Sequence, residues 1–278
     1  MSVVAVLQGT EAQDRQSTLT AVELARRLNA PVTGLFALPD PNAVLMVAAT
    51  PEASGLTAST AQSIIDLQLA MKTTAETAFH DAVSGGAHGL DCDFFHEVNT
   101  VERASANAAT LAEAVVFPRS AAKGSEPLNL AFEHILMDAR LPVVLAGTDE
   151  FKDGGPVIIA WDGSNGAARA VRFHLPLIRA LGHVVIAQAP KDLERDIARP
   201  VAEPSTLESW LKRNGVKAEI AEIDGDVGSG LLALAKGSGA CMIVAGAYGH
   251  SRLGERLFGG TTRRLLEAAH APVLALAR

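Results

Sequence analysis

A glycine-rich stretch near the end of the chain, GAYGHSRLGERLFGGTTRR (246–264), has the residue types of a phosphate-binding loop. It contains five glycines, two threonines and four arginines against one glutamate. Glycine lets the backbone approach a ligand closely, and the free amides and hydroxyls of a helix start can donate hydrogen bonds to an anion. The same composition also suits a bent connection between a strand and a helix.

The turn WDGS at 161–164 follows the apolar run PVIIA and supplies a second set of ligand-type groups. Asp162 can accept hydrogen bonds from ribose hydroxyls or an exocyclic amine, but Asp-Gly-Ser is equally common in turns and at helix starts. The sequence leaves both roles open. His250 is open in the same way, between a contact with phosphate or ribose and a loop histidine bonded to backbone.

The elements that must position these groups repeat along the chain. VVAVLQGT (3–10) and PVIIAWDGS (156–164) are apolar runs that end in a polar turn, and each precedes a helical stretch and a second apolar run. AFEHILMDARLPVVLAG (131–147) and TRRLLEAAHAPVLALA (262–277) each read as a helix, a proline turn and a closing strand. Self-similarity at this long spacing indicates a duplicated domain.

Each half alternates strands with helices, which predicts an α/β fold with a doubly wound, five-stranded parallel sheet between helices. The domains are expected at 1–147 and 156–278, with the polar, glycine-rich segment 148–155 as linker. The strands are expected near 3–8, 32–38, 93–98, 112–117, 142–146, 156–161, 183–188, 217–223, 240–245 and 272–277. Ligands bind such sheets beyond the carboxyl ends of the strands, where both candidate loops lie.

Several helix signals are local. Ser205 and Glu208 fit a capping box, and the Asn214-Gly215 pair predicts the end of that helix. Asp226 is expected to cap a helix over 227–237, and Pro176 to kink the helix that contains it or to shorten its regular part. A long helix is predicted over about 59–84.

Composition limits the function classes. The formal net charge is −7, which argues against an ordinary basic nucleic-acid surface. No apolar run approaches the length of a membrane span, and the first residues read as a strand, so a cytoplasmic protein is expected. Cys92 and Cys241 are expected to be buried, reduced thiols, with a disulfide or redox pair as the alternative.

The pattern Gly246-x2-Gly249-x9-Gly259, followed by hydroxyl residues, resembles the nucleotide loop of the universal stress protein family. Asp162 at the end of a first strand and the run APVL at 271–274 agree with that family. With the duplication, the chain resembles a tandem universal stress protein, with specific motifs over 156–278 and in outline over 1–147. The resemblance implies an adenine-nucleotide α-hydrolase-like fold and ATP, with Mg²⁺, as ligand of the second half.

The resemblance also assigns site residues by position. Near the adenosine it places Ala160, Asp162 and Ala189. Along the ribose and α-phosphate it places Ala245, Gly246 and Gly249. Around the β- and γ-phosphates it places Gly259, Gly260, Thr261 and Thr262. The family motif continues with Ser or Thr where this chain has Gly260, and a lost hydrogen bond to a charged phosphate costs about 1.5–3 kcal/mol.

The first half departs further from the family. Gln8 stands where the second half has Asp162, and the loop PRSAAKGSEP (118–127) has only one glycine. We therefore expect the first domain not to bind nucleotide in the family manner but to pair with the second domain. Whether two chains also form a homodimer stays open, as does the role of the insertion at 39–58, which can cover a pocket or an interface.

The expected function is a stress-response protein that binds ATP or a related adenine nucleotide in its C-terminal domain as a regulatory ligand. The alternatives are a scaffold that binds no nucleotide and, less favoured, a weak ATPase or adenylating enzyme. No catalytic residues are assigned, because the sequence has no G-x-S-x-G elbow and no converging acid–base set. No metal site is assigned either, because Cys92 and His96 alternate with Asp91 and Asp93 along a predicted strand.

Overall fold

The computed structural model describes residues 2–40, 58–87, 89–149, 151–190, 202–247 and 260–278. The chain divides into two compact units, Met1–Ile135 and Leu136–Arg278. Each unit is a sheet packed with helices, so the predicted α/β fold is confirmed. Among the described residues, no helix combines the length and the apolarity that a membrane crossing requires. Neither cysteine is part of a disulfide, and Cys241 is buried whereas Cys92 is half-buried.

The strands of the first unit that the structure describes are parallel and lie in the order β3-β2-β1-β4. They are β1 (Val3–Leu7), β2 (Val32–Leu38), β3 (Cys92–Val98) and β4 (Ala114–Phe117). Strands β1 and β4 are buried along their whole length, as continuous apolar runs are in parallel sheets covered on both faces. The strand order reverses between β1 and β4, which makes their carboxyl ends the switch point of this unit.

Helices cover this sheet. They are α1 (Glu11–Leu28), α2 (Ala58–Gly86), α3 (Val101–Ala109) and α4 (Asn129–Glu133), with a 3₁₀ helix (Arg119–Ala122) after β4 and a π-helix (His134–Asp138) after α4. Helices α1 and α2 pack against each other, as do α3 and α4. The long helix expected near 59–84 is α2, and the prediction is confirmed.

In the second unit the described strands lie in the order β5-β10-β9-β6-β7-β8. They are β5 (Val143–Leu145), β6 (Val157–Ala160), β7 (His183–Gln188), β8 (Lys217–Glu222), β9 (Met242–Gly246) and β10 (Val273–Ala277). The helices between them are α5 (Asn165–Phe173), α6 (Leu175–Leu181), α7 (Pro204–Arg213), α8 (Val227–Ser238) and α9 (Gly260–Glu267). The switch point lies between β6 and β9, which pair in parallel.

All ten predicted strands are present among the described residues, and the predicted α/β fold of mainly parallel strands between helices is confirmed, but one pairing is not parallel. Strand β5 pairs with β10 of the second unit, and it does so antiparallel, with Leu145 opposite Leu274 and Val143 opposite Leu276. Apolar periodicity indicates that a strand exists and is buried, whereas its partner depends on which edge is available in the folded chain. The alternation of strands with helices therefore did not reveal the pairing of β5.

The helix signals of the second half are mostly confirmed. Asp226 caps α8 by accepting a hydrogen bond from the Ser229 amide at 2.9 Å. Helix α7 ends at Arg213 with Asn214 as its C-cap, and Gly215 follows with a φ of 79°. The predicted capping box at Ser205 is wrong, because α7 begins one residue earlier at Pro204, whose fixed φ suits the first helical turn.

The helix that contains Pro176 is interrupted, as predicted, at His174 between α5 and α6. His174 is 2% exposed, and its Nε2 donates to the Leu276 carbonyl at 3.1 Å. Burial lowers the pKa of His174 to about 4, although the bond to Leu276 acts in the opposite direction. The imidazole is therefore neutral in the folded protein at pH 7.

This buried histidine predicts an acid-sensitive stability. The unfolded chain binds the proton near the ordinary pKa of 6.5, so the stabilisation is complete above that pH and is lost as the pH falls towards 4. We expect the free energy of unfolding to fall by about 3 kcal/mol over this window from His174 alone. Urea unfolding at pH 7.5 and 4 measures it, with His174→Gln as the control that keeps a side-chain N–H and does not titrate. Equal pH dependence in the two proteins would contradict the assignment.

Candidate functional site

The turn after β6 holds the first predicted ligand group. Asp162 Oδ1 accepts a hydrogen bond from the Ser164 amide at 2.9 Å, and Ser164 Oγ accepts one from the Ala167 amide at 3.1 Å, which caps α5. Gly163 between them has a φ of 71°, which favours glycine. Asp162 therefore takes the turn role. A carboxylate has about four acceptor positions, so this bond is compatible with a ligand role as well.

Trp161 braces the same turn. Its indole Nε1 donates to the Ala202 carbonyl at 2.8 Å, and the Ala202 amide donates to the Gly163 carbonyl at 3.4 Å. The side chain is only 6% exposed. Residue 202, which lies between β7 and α7, is thereby held against the carboxyl end of β6. Our sequence interpretation missed this brace, for which the only signal was a rare aromatic residue beside Asp162.

Small residues line the carboxyl edge of the neighbouring strands. Ala160 pairs in register with Ala187 of β7 and with Ala245 of β9, and Gly246 ends β9. Ala189 follows β7 and is buried. The structure thus brings Ala160, Asp162, Ala189, Ala245 and Gly246 to one edge of the second unit, at its switch point.

Gly246 has a packing role that the sequence did not indicate. A Cβ on this residue would lie 2.8 Å from the Ala167 nitrogen and 2.8 Å from the Gly166 carbonyl carbon. Both are backbone atoms of the first turn of α5, which cannot move aside cheaply. A glycine is therefore required here to let α5 approach β9, whether or not a ligand is bound.

The predicted phosphate residues Gly260, Thr261 and Thr262 form the first turn of α9. The amides of a first helical turn have no partner within the helix and suit an anion. Thr262 is 5% exposed, Thr261 is half-buried and Gly260 is exposed, with open space in the direction of its missing Cβ. Three further predicted site residues, Gly249, His250 and Gly259, lie outside the described residues, as does most of the insertion at 39–58.

Two arginines of α9 form surface ion pairs. Arg263 Nε lies 2.9 Å from Glu267 Oε1 within the helix, and Arg264 Nε lies 3.0 Å from Asp226 Oδ1 at the start of α8. Hydrogen bonds from Ser229, and to a lesser extent the charge of Arg264, hold the pKa of Asp226 below its ordinary value. Asp226 is therefore ionised at neutral pH.

Residues 155–277 match the model of the universal stress protein family. They form a universal stress protein domain. This domain contains the sheet edge, the turn at Asp162 and the start of α9 described above. The family resemblance of this half is confirmed, and the match begins beyond the first unit.

One solved structure extends the likeness in fold to the whole chain. A universal stress protein from Archaeoglobus fulgidus DSM 4304 shares 14% identity and a TM-score of 0.58, covering 100% of this chain and 98% of its own. A functionally unknown protein from Pseudomonas aeruginosa PAO1 shares 12% identity and a TM-score of 0.48, covering 99% and 92%. No curated protein matches the sequence. The first comparison supports a universal-stress-like fold in the first unit too.

The first unit closes the equivalent turn in a different way. Gly9 has a φ of 83° and corresponds to Gly163 of the universal stress protein domain, and Gln8 corresponds to Asp162. The buried carboxylate of Asp14, in the first turns of α1, accepts hydrogen bonds from the amides of Gln8, Gly9 and Thr10 at 2.8, 2.8 and 3.0 Å. Burial raises the pKa of Asp14, and these three amides oppose the rise.

Further groups of the protein fill this switch point. Gln8 Nε2 and Ser120 Oγ both donate to Gln13 Oε1, which links the turn after β1 to the 3₁₀ helix after β4. Helix α2 passes directly over the turn, since a Cβ on Gly9 would lie 2.6 Å from Met71 Cβ. In the universal stress protein domain the position of Asp14 is taken by Ala168, which has no carboxylate.

The edge strand β3 confirms the predicted alternation. Cys92, Phe94 and His96 are half-buried, whereas Asp93 and Phe95 are exposed. The His96 ring lies 6.0 Å from that of Phe36, between ring centroids. Within the described part of the chain, no group of three or more His, Cys, Asp or Glu side chains is placed to hold a metal ion.

The packing of Gly246 gives a stability prediction. Gly246→Ala forces a methyl group into the backbone of α5, and we expect it to lower the free energy of unfolding by about 1–3 kcal/mol. Gly260→Ala is the matched control, because its methyl group points into open space and is expected to leave stability unchanged or slightly raised. Urea unfolding of both variants measures the difference. A Gly246→Ala protein as stable as the wild type would contradict the packing role.

Proposed function

We propose that the universal stress protein domain binds ATP or a related adenine nucleotide as a regulatory ligand in a cytoplasmic stress response. The family match supports the stress-response role. The observation that carries the nucleotide proposal is the edge formed by Ala160, Asp162 and Ala245 on neighbouring strands at the switch point. An acceptor carboxylate beside small, buried residues is a suitable site for an adenosine group.

The groups of this edge divide naturally between the parts of a nucleotide. The turn uses one acceptor position of Asp162. The other positions of its carboxylate suit ribose hydroxyls or an exocyclic amine. The first turn of α9 offers amides, with the hydroxyl of half-buried Thr261, to the β- and γ-phosphates. Mg²⁺ would accompany the phosphates and neutralise part of their charge.

A scaffold that binds no nucleotide is the second candidate, favoured by one observation. Gly260 has no hydroxyl where the family supplies one, so the terminal phosphates lose a donor. The two functions differ in a simple way. A scaffold purifies without nucleotide, and ATP does not change its melting temperature. A nucleotide-binding domain is stabilised by ATP, and the more tightly it binds ATP, the more its melting temperature rises.

The first test is thermal unfolding of the full chain with and without millimolar ATP and Mg²⁺. We expect the melting temperature to rise with ATP concentration, and Asp162→Asn to reduce the affinity about tenfold, because a charged acceptor is lost. Asn keeps the oxygen that accepts from Ser164, so the ligand-free melting temperature should change little. Asp93→Asn, an exposed position on β3, is the matched control and should leave the affinity unchanged.

The outcomes separate the two functions. No melting shift, no calorimetric heat and no nucleotide released from the denatured protein would reject nucleotide binding in favour of the scaffold. A melting shift that is the same in the wild type and in Asp162→Asn would place the nucleotide away from the turn after β6.

Restoring the missing hydroxyl is the second test. Gly260→Ser fits the open space at the start of α9, and we expect it to raise the affinity for ATP about tenfold through one added hydrogen bond to phosphate. Gly260→Ala is the control for the loss of backbone freedom and should leave the affinity unchanged. Isothermal titration calorimetry measures both. An equal gain from Ser and Ala would show that the hydroxyl is not what the phosphates lack.

A further inference from the structure

Arg264 follows the proposed phosphate residues of α9 within one helical turn, and α8 determines where it lies. Its stem packs on the backbone of α8, since a Cβ on Gly228 would lie 2.9 Å from Arg264 Cβ. Its Nε then reaches Asp226 Oδ1 at 3.0 Å. The close approach of the helices at Gly228 thus holds the guanidinium of Arg264, a residue of α9, beside the start of α8.

The pair between Arg264 and Asp226 is easily exchanged. Both side chains are more than half exposed, so water screens the attraction and the pair contributes little to stability. Asp226 has a second partner, the Ser229 amide, to which it stays bonded as the cap of α8 if Arg264 leaves. A guanidinium has five N–H donors in a planar fork that matches phosphate, and Nε is only one of them.

The expected direction of the Arg264 side chain is towards the start of α9. Side chains on a helix lean towards its N-terminus, and Arg264 lies three residues after Thr261, about 4.5 Å along the axis. Arg263 differs in this respect, because its Nε bonds to Glu267 further towards the C-terminus of the same helix. The two adjacent arginines therefore offer a natural comparison.

We propose that Arg264 makes the site selective for nucleotides with terminal phosphates, and that Asp226 holds its guanidinium until those phosphates replace the carboxylate. The proposal rests on the proposed function of the domain. It names the ligand class as nucleoside di- and triphosphates rather than monophosphates. Asp226 acts on the ligand through Arg264 and is a positioning residue, while Arg264 contacts the phosphate.

The test measures ATP and AMP affinities of the full chain by isothermal titration calorimetry at fixed Mg²⁺ and ionic strength. Arg264→Gln should weaken ATP about tenfold and AMP less than about twofold, because one charged hydrogen-bonding contact to the terminal phosphates is lost. Asp226→Asn keeps a good helix cap and removes the competing charge, so it should strengthen ATP binding about fivefold. Damage to the structure would not produce such a gain.

The controls exclude a general charge effect. Arg263→Gln removes the same charge as Arg264→Gln, and Glu267→Gln removes the same charge as Asp226→Asn. Both controls should leave the affinity for ATP within about twofold of the wild type. Asp226→Asn should have no effect in the Arg264→Gln background, because its gain depends on the freed guanidinium.

Each contrary result would overturn a different part of the proposal. No binding of ATP to the wild type would overturn the proposed function and this inference with it. Binding of ATP that Arg264→Gln leaves unchanged, or an equal loss for ATP and AMP, would overturn the inference alone. A gain from Glu267→Gln equal to that from Asp226→Asn, or no gain from Asp226→Asn, would overturn the exchange between Asp226 and phosphate.

Discussion

The amides of the turn between the first strand and the first helix of each unit must find partners, and how they do so governs what each switch point can bind. Both turns place a glycine at positive φ, Gly9 or Gly163, and both lie beyond a buried strand. In the first unit one buried carboxylate, Asp14, accepts from three successive amides. In the second, Asp162 accepts from one, and it lies in the turn itself.

This difference has consequences for the rest of each unit. Because Asp14 of α1 supplies the carboxylate, the side chain of Gln8 does not have to accept from the turn. It instead donates to Gln13, which also accepts from Ser120, and this link crosses the first switch point beneath α2. In the second unit the acceptor stands at the strand end beside small residues, and α9 begins at the same edge. The groups at the first switch point are thus bonded to one another, whereas those at the second are the groups to which we assign the proposed nucleotide.

Much of the fold could be predicted, because continuous apolar runs such as PVIIA and CMIVAGA leave few alternatives to buried parallel strands. The pairing of β5 with β10 could not, since a strand's partner is a property of the folded chain. The types and order of residues also predicted the turn that contains Asp162 and the start of α9 after the glycine-rich stretch. They did not reveal that Asp14 accepts from the turn after β1, because an acidic residue early in a helix is common. They also did not reveal the packing against α5 that requires Gly246.

The central claim is that a single chain binds one adenine nucleotide, in its second unit. Isothermal titration calorimetry of the full chain with ATP and Mg²⁺ tests it directly through the stoichiometry. We expect one ATP per chain, because the carboxylate of Asp14 and the link through Gln13 fill the first switch point. Two equivalent sites per chain would contradict the closure of the first unit, and no binding at all would contradict the account of the second.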